Sequence, residues 1–327
     1  MKQAVVTAEA LLLLLFLLPV LCFGLGSPGE AAPPPATLPP RPTAAQSAAG
    51  DASVTVRVQA DGQVISLSME DYLWRVVAAE MPASFELEAL KAQAVAARTY
   101  TCYKMGHPSP NHPDADVCDD ITCCKAYITP EEAAANWGDS AQLYADKIAR
   151  AVAETDALAV LYDGQPIQAV FHSSSAGHTQ DAQAVWGNAV PYLVSVDSPE
   201  GDEVPSYQSQ VTVSAQQFRD VFLARYPDAD LSGAPPDWFD DLTDQPSVRT
   251  VGGVEVPNTV LRSLFSLRSA TFSIQPEEEQ LTFSVTGYGH GVGMSQYGAN
   301  KLAQEGMSFE EILKWYYTGV TVEPYQP

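Results

Sequence analysis

The sequence has few basic residues, with 17 lysines and arginines against 40 aspartates and glutamates. The formal net charge is −23 and the pI is about 4.3. An acidic surface of this kind repels nucleic acid and anionic lipid, so we expect neither as a partner of the folded region. The sequence shows no internal repeat. A neutral sugar polymer is compatible with its charge.

A phosphate-binding loop is also missing. The segment from Gly287 to Gly293 has four glycines in seven residues, but it lacks a Walker lysine at the required spacing and the GxGxxG register. Close approach of the backbone to a ligand or to a neighbouring helix explains these glycines better.

The longest apolar run lies at the amino terminus, from Ala10 to Gly26. It predicts a membrane anchor over residues 1–26 or, alternatively, a cleaved secretory signal. Residues 27–52 are rich in proline and alanine without hydrophobic periodicity, which predicts a flexible linker. Residues 53–327 are long enough for a single large domain. We therefore expect a single-pass membrane protein with an extracytoplasmic domain, or a secreted protein if the signal is removed.

The alternating pattern from Val54, the Asp61-Gly62 turn and the return to Leu67 predict a β-hairpin. The segment after it places a carboxyl group where ionisation is unfavourable. Ser68 signals a helix start, and a helix from Met69 would be stopped by Pro82. Glu80 then continues an apolar stripe formed by Leu73, Val76 and Val77. Burial and the helix macrodipole both disfavour ionisation there, so we predict a raised pKa and a role for Glu80 as general acid. The alternative is that Glu80 caps a backbone group or pairs with a buried cation, for which Arg98 is a candidate.

A second helix is predicted to begin at Ser84, and it is unusually rich in alanine. A thin helix lets other backbones approach closely, so we expect it at the buried centre of the domain. Gln93 and Arg98 are the polar residues on it that need a partner. We expect Arg98 to bind substrate; the alternative is a surface position, which suits Gln93 better than Arg98.

A loop rich in proline, aspartate and cysteine follows this helix. Thiolate and imidazole groups suit a closed tetrahedral zinc site, and the loop offers four such donors: His112, Cys118, Cys123 and Cys124. The alternative is a disulfide from Cys118 to Cys123 or to Cys124 in an oxidising compartment. We expect Cys102 to be a small buried residue.

Two further segments offer hydrogen-bonding groups for a ligand. His172 to His178 combines serines with histidines, but adjacency in sequence is weak support for a Ser/His nucleophile. Met294 to Glu305 is predicted to be a helix with Ser295, Gln296 and Tyr297 near its first turn, where side chains and free N–H groups could hold a sugar. His290 either lines the same groove or is a buried histidine.

Two long stretches resemble a known family. Residues 72–100 (YLWRVVAAEMPASFELEALKAQAVAARTY) and 289–319 (GHGVGMSQYGANKLAQEGMSFEEILKWYYTG) are similar to the first and last signatures of the family of stage II sporulation protein D and the related amidase enhancer LytB. The similarity extends from about Val54 to Val322 and is weak between Glu200 and Asn258. With the predicted hairpins and helices, it implies an α+β fold in which sheets pack around the alanine-rich helix beside a substrate groove.

The resemblance also implies an activity. In this family the glutamate before Met-Pro, here Glu80, is regarded as catalytic in a lytic transglycosylase that cleaves peptidoglycan glycan strands lacking stem peptides. It implies an amidase of the stage II sporulation protein P type as partner, and it favours a substrate-binding role for Ser173 and Ser175, with a plain polar turn as the alternative. The competing interpretation is a non-catalytic glycan binder that enhances an amidase.

The resemblance supports one structural Zn²⁺ as well. Related sporulation proteins have a pattern like HPxADVCxxxxHCQAY, which this chain matches at His112, Cys118 and Cys124. It departs at Cys123, where the pattern has histidine. Because four protein ligands leave no open position for water, a zinc-dependent amidase is disfavoured.

Overall fold

Helices and strands alternate irregularly along residues 50–242 and 247–327, the part of the chain that this computed structural model describes. The predicted mixed α/β composition is confirmed. The predicted anchor and nearly all of the predicted linker lie outside the described residues. Over the described ranges, no helix is long and apolar enough to cross a bilayer.

The strands form small sheets. They are β1 (Thr55–Ala60), β2 (Gln63–Ser68), β3 (Val117–Cys118), β4 (Leu158–Tyr162), β5 (Gln165–Pro166), β6 (Phe171–His172), β7 (Gln208–Ser214), β8 (Val248–Val251), β9 (Val254–Pro257), β10 (Phe272–Pro276), β11 (Gln280–Thr286), β12 (Met294–Ser295) and β13 (Thr321–Pro324). The sheet orders are β2-β1-β3, β10-β11-β7, β13-β4-β5, β12-β6 and β8-β9. The β1/β3 and β6/β12 pairs are parallel and the others are antiparallel.

The α-helices of the described residues include one central member, which four of the others contact. They are α1 (Met69–Glu80), α2 (Leu87–Gly106), α3 (Pro130–Trp137), α4 (Ala141–Ala153), α5 (Ala182–Trp186), α6 (Ala215–Arg225), α7 (Asn258–Leu264), α8 (Gln296–Gln304) and α9 (Phe309–Tyr316). Helix α2 contacts α1, α4, α8, α9 and β4. Its alanines are fully buried, because a side chain of one carbon lets neighbouring elements approach from several sides.

Helix α2 begins three residues later than the predicted start at Ser84. The Phe85 N–H donates to the Pro82 carbonyl at 3.0 Å and forms a turn before the helix. The Glu86 N–H then donates to the side-chain oxygen of Asn300 at 2.8 Å. A residue distant in sequence therefore satisfies a backbone N–H at this end of the helix. No local sequence signal predicts this contact.

Two hydrophobic cores lie within the described residues. The larger surrounds α2 and includes α1, α9 and strands β1 and β4. The second lies between Val213 and Val285, where aromatic rings such as Phe218 and Phe265 stack with centroids 4.8 Å apart. The segment between Glu200 and Asn258, where the family similarity is weak, thus contributes to a separate core.

Candidate active site

Glu80 is the last residue of α1, and the local sequence determines its position. The Ser68 hydroxyl accepts a hydrogen bond from the Asp71 N–H at 3.1 Å and caps the start of the helix. The apolar residues on the same stripe are fully buried, namely Leu73, Val76 and Val77. Glu80 itself is only partly buried, so this residue lies at the edge of the core.

Three groups surround the Glu80 carboxyl. The Ala126 N–H donates to Glu80 Oε1 at 2.8 Å. Burial raises the pKa of Glu80, and the positive charge of Lys125 and hydrogen bonds from Ala126 and Gln296 offset only part of that effect. The raised pKa agrees with the prediction. These same groups favour the carboxylate once the proton has left, so the site accommodates both protonation states.

Lys125 is a site residue that the sequence analysis missed. It is buried, and its ammonium lies 3.7 Å from the centroid of the Phe171 ring and 4.4 Å from that of Tyr100. Burial lowers the pKa of Lys125 to about 8, against the opposing effect of the Glu80 and Cys124 charges. The available signal was its place directly after the Cys123-Cys124 pair.

Gln296 reaches Glu80 from the first residue of α8. Its side-chain amide nitrogen lies 3.4 Å from Gln93 Oε1, and Gln93 is fully buried on α2. The oxygen of Gln93 thus orients the Gln296 amide so that its N–H groups are directed toward acceptors. Tyr297 packs edge to face on Phe85 with ring centroids 4.9 Å apart, on the loop between α1 and α2. Gln296 and Tyr297 therefore both lie near the end of α1.

Ser175 and Ser295 do not face the solvent, contrary to the substrate-binding role predicted for them. They are 3% and 0% exposed. Both donate to buried Glu200: the Ser175 N–H at 2.6 Å, and the Ser295 hydroxyl through a short hydrogen bond. Ser198 also donates to Glu200, at 2.6 Å. This carboxylate holds three segments together, which is a structural role.

The Ser175 hydroxyl also contacts His172 Nε2 at 2.7 Å. Because His172 Nδ1 faces the Val292 carbonyl at 3.2 Å, Nδ1 carries the proton and Nε2 accepts from the serine. Burial lowers the pKa of His172 to about 4. The pair resembles a nucleophile and its base, but both side chains are buried, so it stabilises the fold. Ser173 is the partly exposed serine of this segment, and its carbonyl accepts from the Tyr297 N–H at 3.0 Å.

Arg98 does not bind at the Glu80 site as predicted, nor does it pair with Glu80. Its guanidinium is 1% exposed and forms an ion pair with Asp51, donating from Nε at 2.8 and 2.9 Å. Its Nη1 donates to the Leu158 carbonyl at 3.0 Å. Asp51 was assigned to the linker over residues 27–52, yet it lies in a 3₁₀ turn (Asp51–Ser53) and is buried. The packed region thus begins by Gly50.

The glycine-rich segment packs against β6. At Gly289 the φ angle is +118°, and a Cβ there would lie 2.7 Å from the Cβ of His172. Any side chain would therefore collide with the strand. The predicted close backbone approach is present, but the neighbour is strand β6 rather than a helix.

The four predicted zinc donors do converge. One ligand atom from each of His112, Cys118, Cys123 and Cys124 lies within 4.8 Å of the others. His112 Nδ1 donates to the Ala115 carbonyl at 3.0 Å, which leaves Nε2 as an acceptor 3.3 Å from Cys124 Sγ. A fixed tautomer of this kind is typical of a metal-binding histidine. The donor set fits a closed tetrahedral zinc site. All four thiols of Cys102, Cys118, Cys123 and Cys124 are free in this structure.

The Cys/His cluster is joined to the Glu80 site by the segment that directly follows Cys124. Cys118 lies on β3, which pairs with β1, and Cys124 is followed by Lys125, whose charge acts on Glu80, and by Ala126, whose N–H donates to it. The position of the cluster therefore determines where Lys125 and Ala126 meet the carboxyl group.

The fold and site define a mixed α/β protein with a partly buried acid beside a Cys/His cluster, and the comparisons with known proteins agree with this description. Residues 59–162 match the SpoIID family, described as Stage II sporulation protein. Stage II sporulation protein D of Bacillus subtilis is 33% identical over 335 residues, covering 98% of this chain and 96% of the relative. Its counterpart from Bacillus amyloliquefaciens is 35% identical over 83% of this chain and 78% of the relative. The amidase enhancer of Bacillus subtilis is 28% identical over 76% of this chain and 40% of its own length.

The chain belongs to the stage II sporulation protein D family. The family is involved in sporulation. The predicted resemblance is confirmed.

Proposed function

We propose that this protein is a lytic transglycosylase that cleaves the glycan strands of peptidoglycan during sporulation, with Glu80 as the single acid and base. The observation that carries the proposal is the position of Glu80, which is partly exposed while its pKa is raised by burial. Such a group keeps its proton at higher pH than a solvated carboxyl group and remains accessible to a substrate.

Ordinary glycosidases use two carboxylates, one of which activates a water or attacks the sugar. In the proposed reaction Glu80 protonates the glycosidic oxygen as the bond from that oxygen to muramic C1 breaks. The C6 hydroxyl of the same sugar then bonds to C1 and gives its proton to the Glu80 carboxylate. The product carries a 1,6-anhydro end, no water is consumed, and Glu80 regains its proton within one turnover.

The neighbours of Glu80 have a role in this cycle. Lys125, Ala126 and Gln296 stabilise the carboxylate that exists between the two proton transfers. Burial favours the protonated form and raises the pKa of Glu80, and these groups offset part of that effect by favouring the ionised form. That balance suits a group that must donate a proton and then accept one.

We propose that one Zn²⁺ binds His112, Cys118, Cys123 and Cys124. When bound, the ion cross-links the loop and leaves no position for substrate, because four protein ligands complete a tetrahedral shell. The chain's own residues support this role: Ala115 fixes the His112 tautomer, and Ala126 lies two residues after the last ligand. The disulfide alternative would remove thiols from the same loop.

We further propose that residues 1–26 tether the domain to the cell membrane on the extracytoplasmic side, or direct its secretion. Preferred strands would lack stem peptides, so an amidase of the stage II sporulation protein P type would act upstream and is the proposed partner.

A second candidate function is that of a non-catalytic glycan binder that stimulates an amidase. It is favoured by the similarity to the protein named amidase enhancer. The discriminating experiment incubates denuded glycan strands with wild type and with Glu80→Gln, followed by mass analysis. Anhydro ends from wild type alone support the enzyme. Strand binding by both proteins without any cleavage supports the binder.

A further inference from the structure

A cavity of about 360 Å³ lies where segments from the two hydrophobic cores meet. One wall comes from the turn at residues 176–180 and from Ala184 and Val185 of α5. The other comes from the region of the second core, including Thr259, Thr271 and Thr286. This volume falls within the range of small-ligand sites, roughly 300–1,000 Å³.

The lining of this cavity is uncharged. Among the described residues that line it there is no aspartate, glutamate, lysine or arginine, although the chain carries a net charge of −23. The walls instead offer hydroxyl, amide and imidazole groups next to small apolar patches. A ligand that matches such walls is neutral, has many hydroxyl or amide groups, and has at least one apolar face. A sugar residue has this chemistry.

A second observation concerns the narrow extension of the cavity toward Gly289 and His290, which shares His178 and Gln180 with the main space. Ser174 lines this extension. Its hydroxyl is buried and has no hydrogen-bond partner among the residues that the structure describes. An unsatisfied buried hydroxyl costs free energy unless a ligand or water completes its bonding.

An aromatic side chain lies beside the same extension. Trp186, at the end of α5, is 41% exposed, and its ring centroid is 5.5 Å from that of His290. Exposed tryptophan rings stack on the apolar face of sugars, because the flat ring covers C–H groups without competing for hydroxyls.

A series of contacts connects the cavity to Glu80. The His290 ring lies 5.5 Å from that of His172 on β6, and Phe171 on the same strand lies under the Lys125 ammonium at 3.7 Å. Lys125 in turn acts on Glu80. Packed side chains of β6 therefore join the cavity to the region of the proposed catalytic group.

We propose that this cavity is a binding subsite for a neutral N-acetylated sugar residue of the glycan strand, remote from the bond that is cleaved. The inference rests on the proposed function. An uncharged lining also selects against stem peptides, whose carboxylate and ammonium groups would be desolvated there without a partner. The site thus supplies a physical reason for a preference for peptide-free strands.

The test uses the full chain with Glu80→Gln, so that binding is measured without cleavage. Calorimetric titration with chitotetraose, a β-1,4 tetramer of N-acetylglucosamine, gives the affinity. Ala184→Tyr fills the mouth of the cavity from an exposed helical position, and Gln183→Tyr, exposed on the same helix but outside the lining, is the matched control. Trp186→Ala removes the stacking surface without filling the cavity.

We expect Ala184→Tyr and Trp186→Ala each to weaken chitotetraose binding by about tenfold or more, a change of roughly 1.4 kcal/mol, and Gln183→Tyr to leave it unchanged. Equal affinity in all variants, or no binding by the parent protein, overturns the inference. So does an Ala184-sensitive site that prefers a free stem tetrapeptide. If wild type makes no anhydro ends while binding still depends on Ala184, the proposed activity fails and the subsite stands.

Discussion

Replacing Asp51 by alanine should strongly destabilise the protein, because it leaves the Arg98 guanidinium buried without its counter-ion. Asp51 and Arg98 are 4% and 1% exposed. Three of the guanidinium hydrogen bonds go to the Asp51 carboxylate, and after the change the Leu158 carbonyl is the remaining acceptor among the described residues. Removing one partner of a buried ion pair costs about 3–5 kcal/mol. That is a large part of a typical free energy of unfolding of about 5–15 kcal/mol.

Urea unfolding followed by circular dichroism measures this change as a shift of the midpoint at constant slope. Ser53→Ala is the control, since Ser53 lies in the same turn, is exposed, and only donates to the Gly50 carbonyl. The double variant Asp51→Ala/Arg98→Met should be more stable than Asp51→Ala alone, because no uncompensated charge is left in the core. A loss in Asp51→Ala no larger than that in Ser53→Ala would refute the assignment of Asp51 to the packed domain.

Three further predictions follow from the site. Lys125→Met should raise the pKa of Glu80, and because activity needs the protonated acid, it should persist to higher pH. Lys125→Arg keeps the positive charge and should leave the alkaline limb of the pH profile as in wild type. The pH profile of kcat/KM on denuded strands tests this, and an unmoved alkaline limb in Lys125→Met contradicts it. Purified protein should contain about one zinc per chain with its thiols reduced. Cys118→Ser and metal chelation should each lower the melting temperature. Absence of metal together with a disulfide between two of these cysteines argues against the site. Because burial lowers the pKa of His172 below its unfolded value of 6.5, the unfolded chain binds the proton first, so stability should fall as pH decreases from 6.5 to about 4. Urea midpoints across that range should fall less steeply in His172→Gln than in wild type, and parallel curves would exclude this contribution.

The sequence was informative wherever local pattern determines structure. The capping signal at Ser68 and the apolar spacing up to Glu80 place the acid correctly, because helix geometry alone sets both. The Cys/His donors are close in sequence, so their convergence was also foreseeable.

Tertiary partners distant in sequence could not be foreseen. Arg98 pairs with Asp51, 47 residues earlier, in a segment whose composition indicated a linker. Glu200 lies in the segment with the weakest pattern, and only the fold brings it to Ser175 and Ser295. The burial of these two serines depends on long-range contacts that composition does not encode. The sequence therefore predicted, wrongly, that both would be exposed to substrate.

The uncharged cavity illustrates the same limit. Its walls come from residues as far apart as Ala176 and Thr286, and of these only the end of the segment from His172 to His178 was singled out in the sequence. Lys125 was overlooked for a related reason, since only the folded loop places it over Phe171 and beside Glu80.

Cleavage of denuded glycan strands in water enriched in oxygen-18 tests the central claim most directly. If the C6 hydroxyl attacks C1 of the same sugar and gives its proton to Glu80, the wild-type products end in anhydro sugars and lack the heavy isotope. These products should disappear with Glu80→Gln. Reducing ends that carry oxygen-18, or intact strands after incubation with folded wild-type protein, would contradict it.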